Sequence, residues 1–361
     1  MDLKSDIGPL CGTHYPALIA GPCSVESRGQ LLETAEALKG CGVTVLRGGL
    51  WKPRTKPGGF EGVGEEGIPW MLEAREKTGL KIASEAGNAS HAQLLVDNGF
   101  DAIWIGARTT ANPFAVQEIA DVVSAAAAPV AVMVKNPVNP DLELWIGALE
   151  RMRLAGVETL IAVHRGFTAY GSAVYRNPPQ WSIPIELRRR FPGLPLLCDP
   201  SHITGHADMV SAVAQEALDL GFDGLMTEVH PNPRCAFSDA KQQLTPTQFC
   251  DMTVSLRLPV RGGNTLSLNA LRHKIDDCDA ELLAVLARRM EVSQEIGRLK
   301  KEKNLPAVHI DRHDEVMRSR AGQGESLGLP PEFTEKIMRL IHIESVRRQV
   351  EILNSGNNGG E

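Results

Sequence analysis

Eight short apolar segments with strand-like composition recur along the first two-thirds of the chain. Amphipathic stretches lie between them, as in Ile68–Lys77 and Leu142–Leu154, where apolar residues recur at intervals of three and four. This alternation predicts an α/β fold, a (β/α)8 TIM barrel in which eight parallel strands close into a cylinder. The segments are 17–20, 43–46, 81–84, 102–105, 130–134, 160–163, 194–198 and 224–227.

Nearly every one of these segments ends at a charged or metal-binding side chain. The C-terminal ends of parallel barrel strands all point to one end of the barrel, so we expect these side chains to meet in a single pocket. They are Cys23, Arg47, Glu85, Arg108, Lys135, His164, Arg165, Asp199, His202, Glu228 and His230.

Length and composition indicate a globular protein with more than one domain. The chain has 361 residues, about a hundred more than the ~250 of a typical barrel. It is 43% hydrophobic and 23% charged, with a formal net charge of -6. That charge argues against nucleic acid as a partner, whereas local clusters of Arg and Lys still allow anionic small molecules.

Cysteine usage and hydropathy predict a cytoplasmic location without a membrane segment. The seven cysteines include no CxxC pair, and an odd number does not suit a disulfide framework. The first ten residues lack the apolar core of a signal peptide. The longest apolar run, Ala125–Val134, contains Pro129 and is too short to span a bilayer.

The pattern changes at a turn-rich stretch, Pro259–Asn264. We therefore predict a barrel domain over 1–258, a linker over 259–266, a helical domain over 267–353 and a disordered tail over 354–361.

The helical domain is predicted to contain three helices. The first carries an apolar stripe from Leu268 to near Lys303, the second covers Asp311–Arg320 and the third covers Pro331–Leu353. A first helix of this length cannot bury its stripe against two shorter partners within one chain. We therefore expect a homodimer formed through this domain.

The predicted pocket concentrates positive charge. Arg47, Lys52 and Arg54 lie in one short segment, and Arg108, Lys135 and Arg165 raise the number of cations to six. Glu85, Asp199 and Asp239 are expected to neutralise one or two of them. Phosphate and carboxylate groups are the natural ligands for the rest, because arginine binds both in bidentate fashion.

A second set in the same pocket could bind a metal ion. A thiol, an imidazole and two carboxylates from Cys23, His202, Glu228 and Asp239 suit a borderline divalent ion such as Mn, Fe, Co or Zn. Taken singly, a cysteine such as Cys23 is more often a buried apolar thiol, and a histidine such as His202 is more often a helix cap.

Six motifs resemble, in order and spacing, the type I DAHP synthases of the β subgroup. These enzymes condense phosphoenolpyruvate with erythrose 4-phosphate in the first step of the shikimate pathway. The resemblance covers essentially the whole barrel. The motifs are Gly21-Pro22-Cys23-Ser24, Lys52-Pro53-Arg54-Thr55, Gly106-Ala107-Arg108, His164-Arg165-Gly166, Asp199-Pro200-Ser201-His202 and Glu228-Val229-His230.

The resemblance implies a role for each pocket residue. Arg54 and Thr55 would bind the aldose phosphate. The metal ligands would be Cys23, His202, Glu228 and Asp239, and phosphoenolpyruvate would be held by Arg47, Lys52, Arg108, Lys135 and Arg165.

The implied mechanism begins with attack of the enol carbon on an aldehyde polarised by the metal. Lys52 is the candidate acid for the aldehyde oxygen, and the base that activates water is either Glu85 or a metal-linked group. A synthase for KDO 8-phosphate is the alternative within the same superfamily. In such enzymes the corresponding segment resembles Lys-Ala-Asn-Arg-Ser, whereas this chain has Lys52-Pro53-Arg54-Thr55. This difference favours erythrose 4-phosphate as the substrate.

The C-terminal domain, from Leu268 to Gln349, resembles the all-helical chorismate mutases, which are intertwined dimers. This resemblance implies that Arg272 is donated to the partner's site and that Arg289 binds a carboxylate. Lys300 and Gln349 would hydrogen-bond the ether oxygen that breaks as chorismate becomes prephenate. The implied chorismate-binding set is Arg272, Arg289, Lys300, Arg312, Ser345 and Gln349.

One departure leaves a second function open. His309 and His313 stand where relatives usually carry acidic residues near the substrate hydroxyl. The helical domain could therefore be mainly a ligand-binding regulatory module with weak mutase activity. In either case we expect prephenate or chorismate, bound to this domain, to inhibit the synthase.

Overall fold

Eight parallel strands close into a barrel, as the sequence predicts. The computed structural model describes residues 2–53, 58–170, 174–258, 266–307 and 319–355. The strands are β1 (Ala17–Gly21), β2 (Val45–Arg47), β3 (Lys81–Glu85), β4 (Ala102–Ile105), β5 (Ala131–Lys135), β6 (Leu160–His164), β7 (Leu196–Cys198) and β8 (Gly224–Glu228).

Helices follow the strands and cover the barrel. Two short helices, α5 (Ala107–Thr110) and α9 (Pro200–Thr204), lie directly after strand ends and carry pocket residues. The helices are α1 (Gly8–Cys11), α2 (Arg28–Leu38), α3 (Ile68–Thr78), α4 (Ala89–Asp97), α5 (Ala107–Thr110), α6 (Pro113–Ser124), α7 (Leu142–Leu154), α8 (Ser182–Arg190), α9 (Pro200–Thr204), α10 (Val210–Asp219) and α11 (Pro246–Ser255).

The strands are buried on both faces, so their side chains divide between two apolar layers. In β4, Ala102 and Trp104 belong to the cluster inside the barrel, whereas Ile103 and Ile105 pack in the layer under the helices. This alternation follows from the two-residue period of a strand. Nearly continuous apolar segments are therefore the expected signature of such strands.

Polar caps fix where several helices begin. The side chains of Ser27, Asn88 and Asp141 each accept a hydrogen bond from a backbone N–H in the first turn of α2, α4 and α7. Each such cap is worth about 1 kcal/mol. Thr245 and Gln248 form a reciprocal capping box at the start of α11.

The barrel also contains a cross-link that the cysteine pattern did not indicate. Cys41 and Cys250 form a disulfide, with their Cα atoms 5.2 Å apart. The two residues are separated by 209 positions in the sequence, so no local motif marks the pair.

The chain divides into two compact units, residues 1–260 and 261–361. The second unit contains α12 (Leu266–Glu302) and α14 (Pro331–Asn354), which pack against each other, and the short helix α13 over 319–326. With 37 residues, α12 is roughly 55 Å long.

The second helix of this unit extends beyond its predicted end at Arg320. Gly322 and Gly324 are helix-weakening residues, yet the helix continues through them to 326. A Cβ at Gly324 would lie 2.2 Å from Thr334 Oγ1, so glycine is needed for close packing against α14. The rest of the predicted helix, 308–318, lies outside the described residues, as do 259–265 of the linker and 356–361 of the tail.

Among the described residues, no helix is both long and apolar enough to cross a membrane.

Candidate active sites

The C-terminal ends of the barrel strands surround a cavity of about 510 Å³. Its walls combine cations, potential metal ligands and glycines. The lining residues are Lys52, Pro53, Gly58, Gly59, Glu85, Gly106, Ala107, Arg108, Lys135, Arg165, Arg176, His202 and Asp239.

Potential metal ligands gather beside this cavity. Donor atoms of Cys23, Glu228 and Asp239 all lie within 4.8 Å of one another. His202, the fourth residue expected from the sequence, has its Nε2 atom 3.6 Å from Glu228 Oε1. Lys52 Nζ donates to Cys23 Sγ and lies 2.8 Å from Asp239 Oδ2. The cluster of donors thus attracts a cation even within the chain itself.

Burial is the main influence on the protonation of Cys23 and His202. Burial, reinforced by Glu228, raises the pKa of the Cys23 thiol to about 12. Burial lowers the pKa of His202, which favours the neutral imidazole that metal ions bind. His202 Nδ1 lies 2.8 Å from Asp199 Oδ2, so the contact orients the ring with Nε2 toward Glu228.

Several of the predicted cations contact carboxylates, and more of them do so than the one or two expected. Arg47 Nη2 lies 3.2 Å from Glu228 Oε1, and Lys135 Nζ lies 2.7 Å from Asp199 Oδ2. With Lys52, at least three of the six cations are therefore paired in this way, and Arg54 lies outside the described residues. The expectation was too low because it left out Glu228, and because Asp199 lies near both Arg47 and Lys135.

Arg165 is buried near other cations. Burial lowers its pKa to about 10, and the neighbouring charges of Arg176 and Arg108 act in the same direction. A bound anion would relieve both the desolvation and the repulsion. This part of the cavity is therefore suited to a phosphate or carboxylate.

Glu85 lies in the cavity wall at the end of β3. Its Oε2 accepts a hydrogen bond of 3.0 Å from Trp104 Nε1. A Cβ at Gly106 would lie 2.2 Å from Glu85 Oε1, so the glycine makes room for the carboxylate. The two residues expected to bind the aldose phosphate, Arg54 and Thr55, lie outside the described residues.

Two residues of this site were not found from the sequence. Arg176 lines the cavity and contacts Asp239 and Gln242, while Gln242 donates to Glu228. Arg176 lies in the long connection between β6 and α8, far beyond the strand end that marks other pocket residues. The local sequence, Tyr175-Arg176-Asn177-Pro178, indicates a polar turn and gives no sign of a functional site.

The helical unit brings together four of the residues predicted for chorismate. Arg289 Nη1 donates to Ser345 Oγ at 2.5 Å, and Lys300 Nζ donates to Gln349 Oε1 at 2.9 Å. Partial burial lowers the pKa of both Arg289 and Lys300. Gln349 Nε2 also donates to Ser293 Oγ at 3.0 Å. Ser293 was not singled out, although it lies one turn after Arg289 on the same face of α12.

Arg272 does not join this group. It lies on α12, 17 positions before Arg289, which corresponds to about 25 Å along the helix axis. An arginine side chain cannot cover that distance within one chain. Arg312, His309 and His313 lie outside the described residues.

Comparison with known proteins assigns the two compact units of the chain to two different families. Residues 3–256 match the DAHP synthetase I family, and residues 271–350 match chorismate mutase type II. A T-protein from Enterobacter agglomerans is 38% identical over 78 residues, which are 22% of this chain and 21% of the relative.

Relatives of the barrel include two kinds of aldolase. A phospho-2-dehydro-3-deoxyheptonate aldolase from Thermotoga maritima is 34% identical over 257 residues, covering 71% of this chain and 73% of the relative. A 2-dehydro-3-deoxyphosphooctonate aldolase from a Bradyrhizobium species is 28% identical over 260 residues, covering 66% of this chain and 86% of the relative. The crystal structure of the Thermotoga maritima DAHP synthase superposes with a TM-score of 0.59, covering 65% of this chain and 66% of that one.

Proposed function

The chain belongs to the DAHP synthetase I family and carries a type II chorismate mutase domain, and from this premise we propose that its barrel catalyses a metal-dependent condensation of phosphoenolpyruvate with erythrose 4-phosphate. It is a bifunctional enzyme of the shikimate pathway, with a synthase and a mutase activity. The observation that carries the metal-dependent proposal is the cluster of Cys23, Glu228 and Asp239 beside a cation-lined cavity, with His202 next to Glu228. The assignment of the barrel to 1–258 and the helical domain to 267–353 belongs to the same proposal.

The donor set fits a divalent ion such as Mn, Fe, Co or Zn. The buried thiol of Cys23 needs a neighbouring cation to ionise. The Lys52 ammonium, which contacts Cys23 and Asp239, shows that the set accommodates positive charge. When bound, the ion supplies Lewis-acid polarisation of the aldehyde oxygen. Cys23 is a free thiol and must stay reduced to act as a ligand. The cytoplasm is the proposed compartment, and the Cys41–Cys250 disulfide of the same barrel is the observation against it.

The chain's own cations hold phosphoenolpyruvate. Its phosphate and carboxylate are bound by Arg47, Lys52, Arg108, Lys135 and Arg165, which fix one face of the enol toward the aldehyde. Arg47 and Lys135 come from strand ends and are buried, so their positions are set before substrate arrives. The aldose phosphate is bound by Arg54 and Thr55.

Proton transfers complete the reaction. Lys52 donates a proton to the aldehyde oxygen as the carbon–carbon bond forms. Water then adds to the cationic C2, its proton is taken by Glu85 or a metal-linked group, and phosphate departs with cleavage of the C–O bond. The Glu85 carboxylate is held by Trp104 on the cavity wall, where it faces the space available for water.

Cys23→Ala tests the metal assignment. We expect the variant to lose synthase activity and bound metal, measured by elemental analysis, while it retains mutase activity. Full synthase turnover with no detectable metal would refute the assignment.

Erythrose 4-phosphate is preferred over a five-carbon sugar phosphate. The Thermotoga relative is 34% identical, whereas the phosphooctonate aldolases among the relatives are 25–29% identical. The alternative, a KDO 8-phosphate synthase-like activity, predicts faster turnover with arabinose 5-phosphate. A comparison of kcat/KM for the two aldoses decides between them.

The helical unit supports rearrangement of chorismate to prephenate. This reaction needs a dianion held in a compact conformation and donors where charge grows on the ether oxygen. Lys300 and Gln349, which already contact each other, donate to that oxygen. Arg289, Arg312 and Ser345 bind the rest of the substrate.

We assign the missing arginine to a second chain. Arg272 is exposed and lies about 25 Å along α12 from Arg289, so it completes the partner's site in a homodimer. The exposed apolar side chains of Leu271, Ile275 and Leu282 on the same part of α12 are the surface that such a dimer would bury. Sedimentation at increasing protein concentration should show a dimer, and the variant Leu282→Lys should remain a monomer.

Regulation by the pathway's later metabolites is the last part of the proposal. Prephenate or chorismate bound to the helical domain inhibits the synthase, and linkage then requires synthase ligands to change affinity at the helical site. If saturating prephenate leaves synthase kinetics unchanged, the regulatory proposal is wrong. A helical domain that binds prephenate but turns chorismate over weakly would instead favour the regulatory module, with His309 and His313 as the first positions to examine.

A further inference from the structure

The dipeptide Arg176–Asn177 contacts two of the four potential metal ligands, Asp239 and His202. Arg176 Nη1 lies 3.0 Å from Asp239 Oδ1 and 2.7 Å from Gln242 Oε1. Asn177 Nδ2 donates to the backbone carbonyl of His202 at 2.6 Å. None of these contacts lies within one secondary-structure element, so they join three separate segments of the barrel.

Gln242 extends the contact to Glu228. Its Nε2 donates to Glu228 Oε2 at 2.6 Å, and the side chain is almost fully buried. Because its Oε1 accepts from Arg176, the orientation of the amide is fixed: oxygen toward the arginine and nitrogen toward the carboxylate. Arg176 therefore acts directly on Asp239 and, through Gln242, on Glu228.

The fold accommodates Arg176 in a preformed position. Its backbone N–H donates to the carbonyl oxygen of Thr204 at 3.2 Å, and Thr204 is the last residue of α9, the helix that carries His202. Gly205 has a φ of 71° and lies under the arginine, where a Cβ would come within 2.6 Å of Arg176 Cβ. Glycine thus satisfies both the backbone conformation and the close approach of the arginine stem.

Asp239 needs support from its neighbours. Its backbone lies in the left-handed region, with φ 45° and ψ 35°, which costs energy for any residue with a side chain, although less for aspartate than for most. Such a conformation persists only when surrounding contacts hold it. Arg176 binds Oδ1 and Lys52 binds Oδ2, so both carboxylate oxygens are engaged.

We propose that Arg176 and Gln242 are positioning residues that hold Asp239 and Glu228 in the geometry required to bind the metal ion. The inference rests on the metal site proposed above. Lys52 is expected to move to substrate when the ion binds, which leaves Arg176 as the cation that keeps Asp239 in place. Arg176 acts through the ligands and need not touch substrate.

Titration of the metal-free protein with Co²⁺ tests the proposal. The thiolate of Cys23 gives a charge-transfer absorption when it binds cobalt, so the dissociation constant is measured without reference to activity. We expect Arg176→Gln and Gln242→Met each to weaken cobalt binding by about 10–100-fold, as is typical when a residue that orients metal ligands is lost. Arg176→Lys, which keeps the charge but not the fork of donors, should show a smaller loss.

Arg188→Gln is the matched control. It removes another arginine that pairs with an aspartate of the barrel, Asp223 at 2.5 Å, but Arg188 lies on α8 and does not line the cavity. Its cobalt affinity should equal that of the wild type. At saturating cobalt, the KM for phosphoenolpyruvate of Arg176→Gln should also remain that of the wild type.

The outcomes distinguish failure of the proposed metal site from failure of the positioning role proposed for Arg176. A wild-type protein that shows no cobalt–thiolate absorption contradicts the metal site itself. A wild type that binds cobalt, with Arg176→Gln binding it equally well and showing a raised KM for either substrate, would make Arg176 a substrate-binding residue and overturn the inference. If Arg176→Gln does not fold, Gln242→Met and Arg176→Lys carry the same test.

Discussion

His164 should make the stability of the barrel depend on pH in a range where most side chains do not titrate. The imidazole is fully buried at the end of β6. Four aromatic rings surround it, with the nearest centroids those of Trp181 at 5.3 Å and Phe167 at 5.5 Å. Burial in this apolar environment lowers the pKa of His164 to about 3. The folded barrel therefore keeps the ring neutral under conditions that protonate it in the unfolded chain.

The size of the effect follows from the two pKa values. The folded value is below the unfolded value of 6.5, so the contribution to stability is complete above the unfolded pKa and is lost as the pH falls below it. Each pH unit between the two values costs about 1.4 kcal/mol. Lowering the pH from 7 to 5 should therefore reduce the free energy of unfolding by about 2 kcal/mol through this residue alone.

Urea unfolding followed by tryptophan fluorescence measures this free energy for the barrel alone. All five tryptophans, at positions 51, 70, 104, 145 and 181, precede the helical unit. With chelator present at both pH values, His164→Gln should show a pH dependence smaller by about 2 kcal/mol than that of the wild type, whatever its stability at pH 7. His14→Gln removes an exposed imidazole and should behave as the wild type does. If the free energy of unfolding falls equally from pH 7 to pH 5 in the wild type and in His164→Gln, the argument is refuted.

Three further substitutions have expected outcomes. Asp199→Asn leaves Arg47 and Lys135 without their shared carboxylate and should lower the free energy of unfolding of the barrel, measured in urea, by about 3–5 kcal/mol. Glu73→Gln, at a more exposed ion pair, should lower it less, and equal losses would contradict the importance of the buried pairs. Gln349→Leu should slow chorismate loss by about 10²–10³-fold without changing the synthase rate; an unchanged mutase rate would exclude the assigned donor. Gly106→Ala should displace Glu85, since the new Cβ would meet its carboxylate, and should lower synthase kcat/KM by up to about 100-fold; a folded variant with wild-type kcat/KM would show that Glu85 tolerates the shift.

The barrel could be predicted from the sequence because its signal is local and repeated. The segment Ala102–Ile105 is a strand over the same four residues in the structure, and the other strands differ by one or two residues at one or both ends. Such differences are usual, because the ends of strands and helices depend on individual hydrogen bonds. The pocket residues that directly follow strands were identifiable for the same reason.

The rest of the site depends on contacts between distant segments. Arg176 meets Asp239 because a long loop folds back over α9, and no spacing in the sequence reports that path. The Cys41–Cys250 disulfide joins the first and last parts of the barrel in the same way. Ser293 is different, since its position one turn after Arg289 would have allowed its identification from helical periodicity.

The central claim is that one chain carries a metal-dependent synthase and a metal-independent mutase. The most direct measurement follows loss of phosphoenolpyruvate with erythrose 4-phosphate, and separately loss of chorismate, in one purified preparation with and without a chelator. We expect both activities, with the chelator abolishing only the first and added divalent metal restoring it. A synthase that survives complete removal of metal, or a mutase that fails with it, would contradict the account.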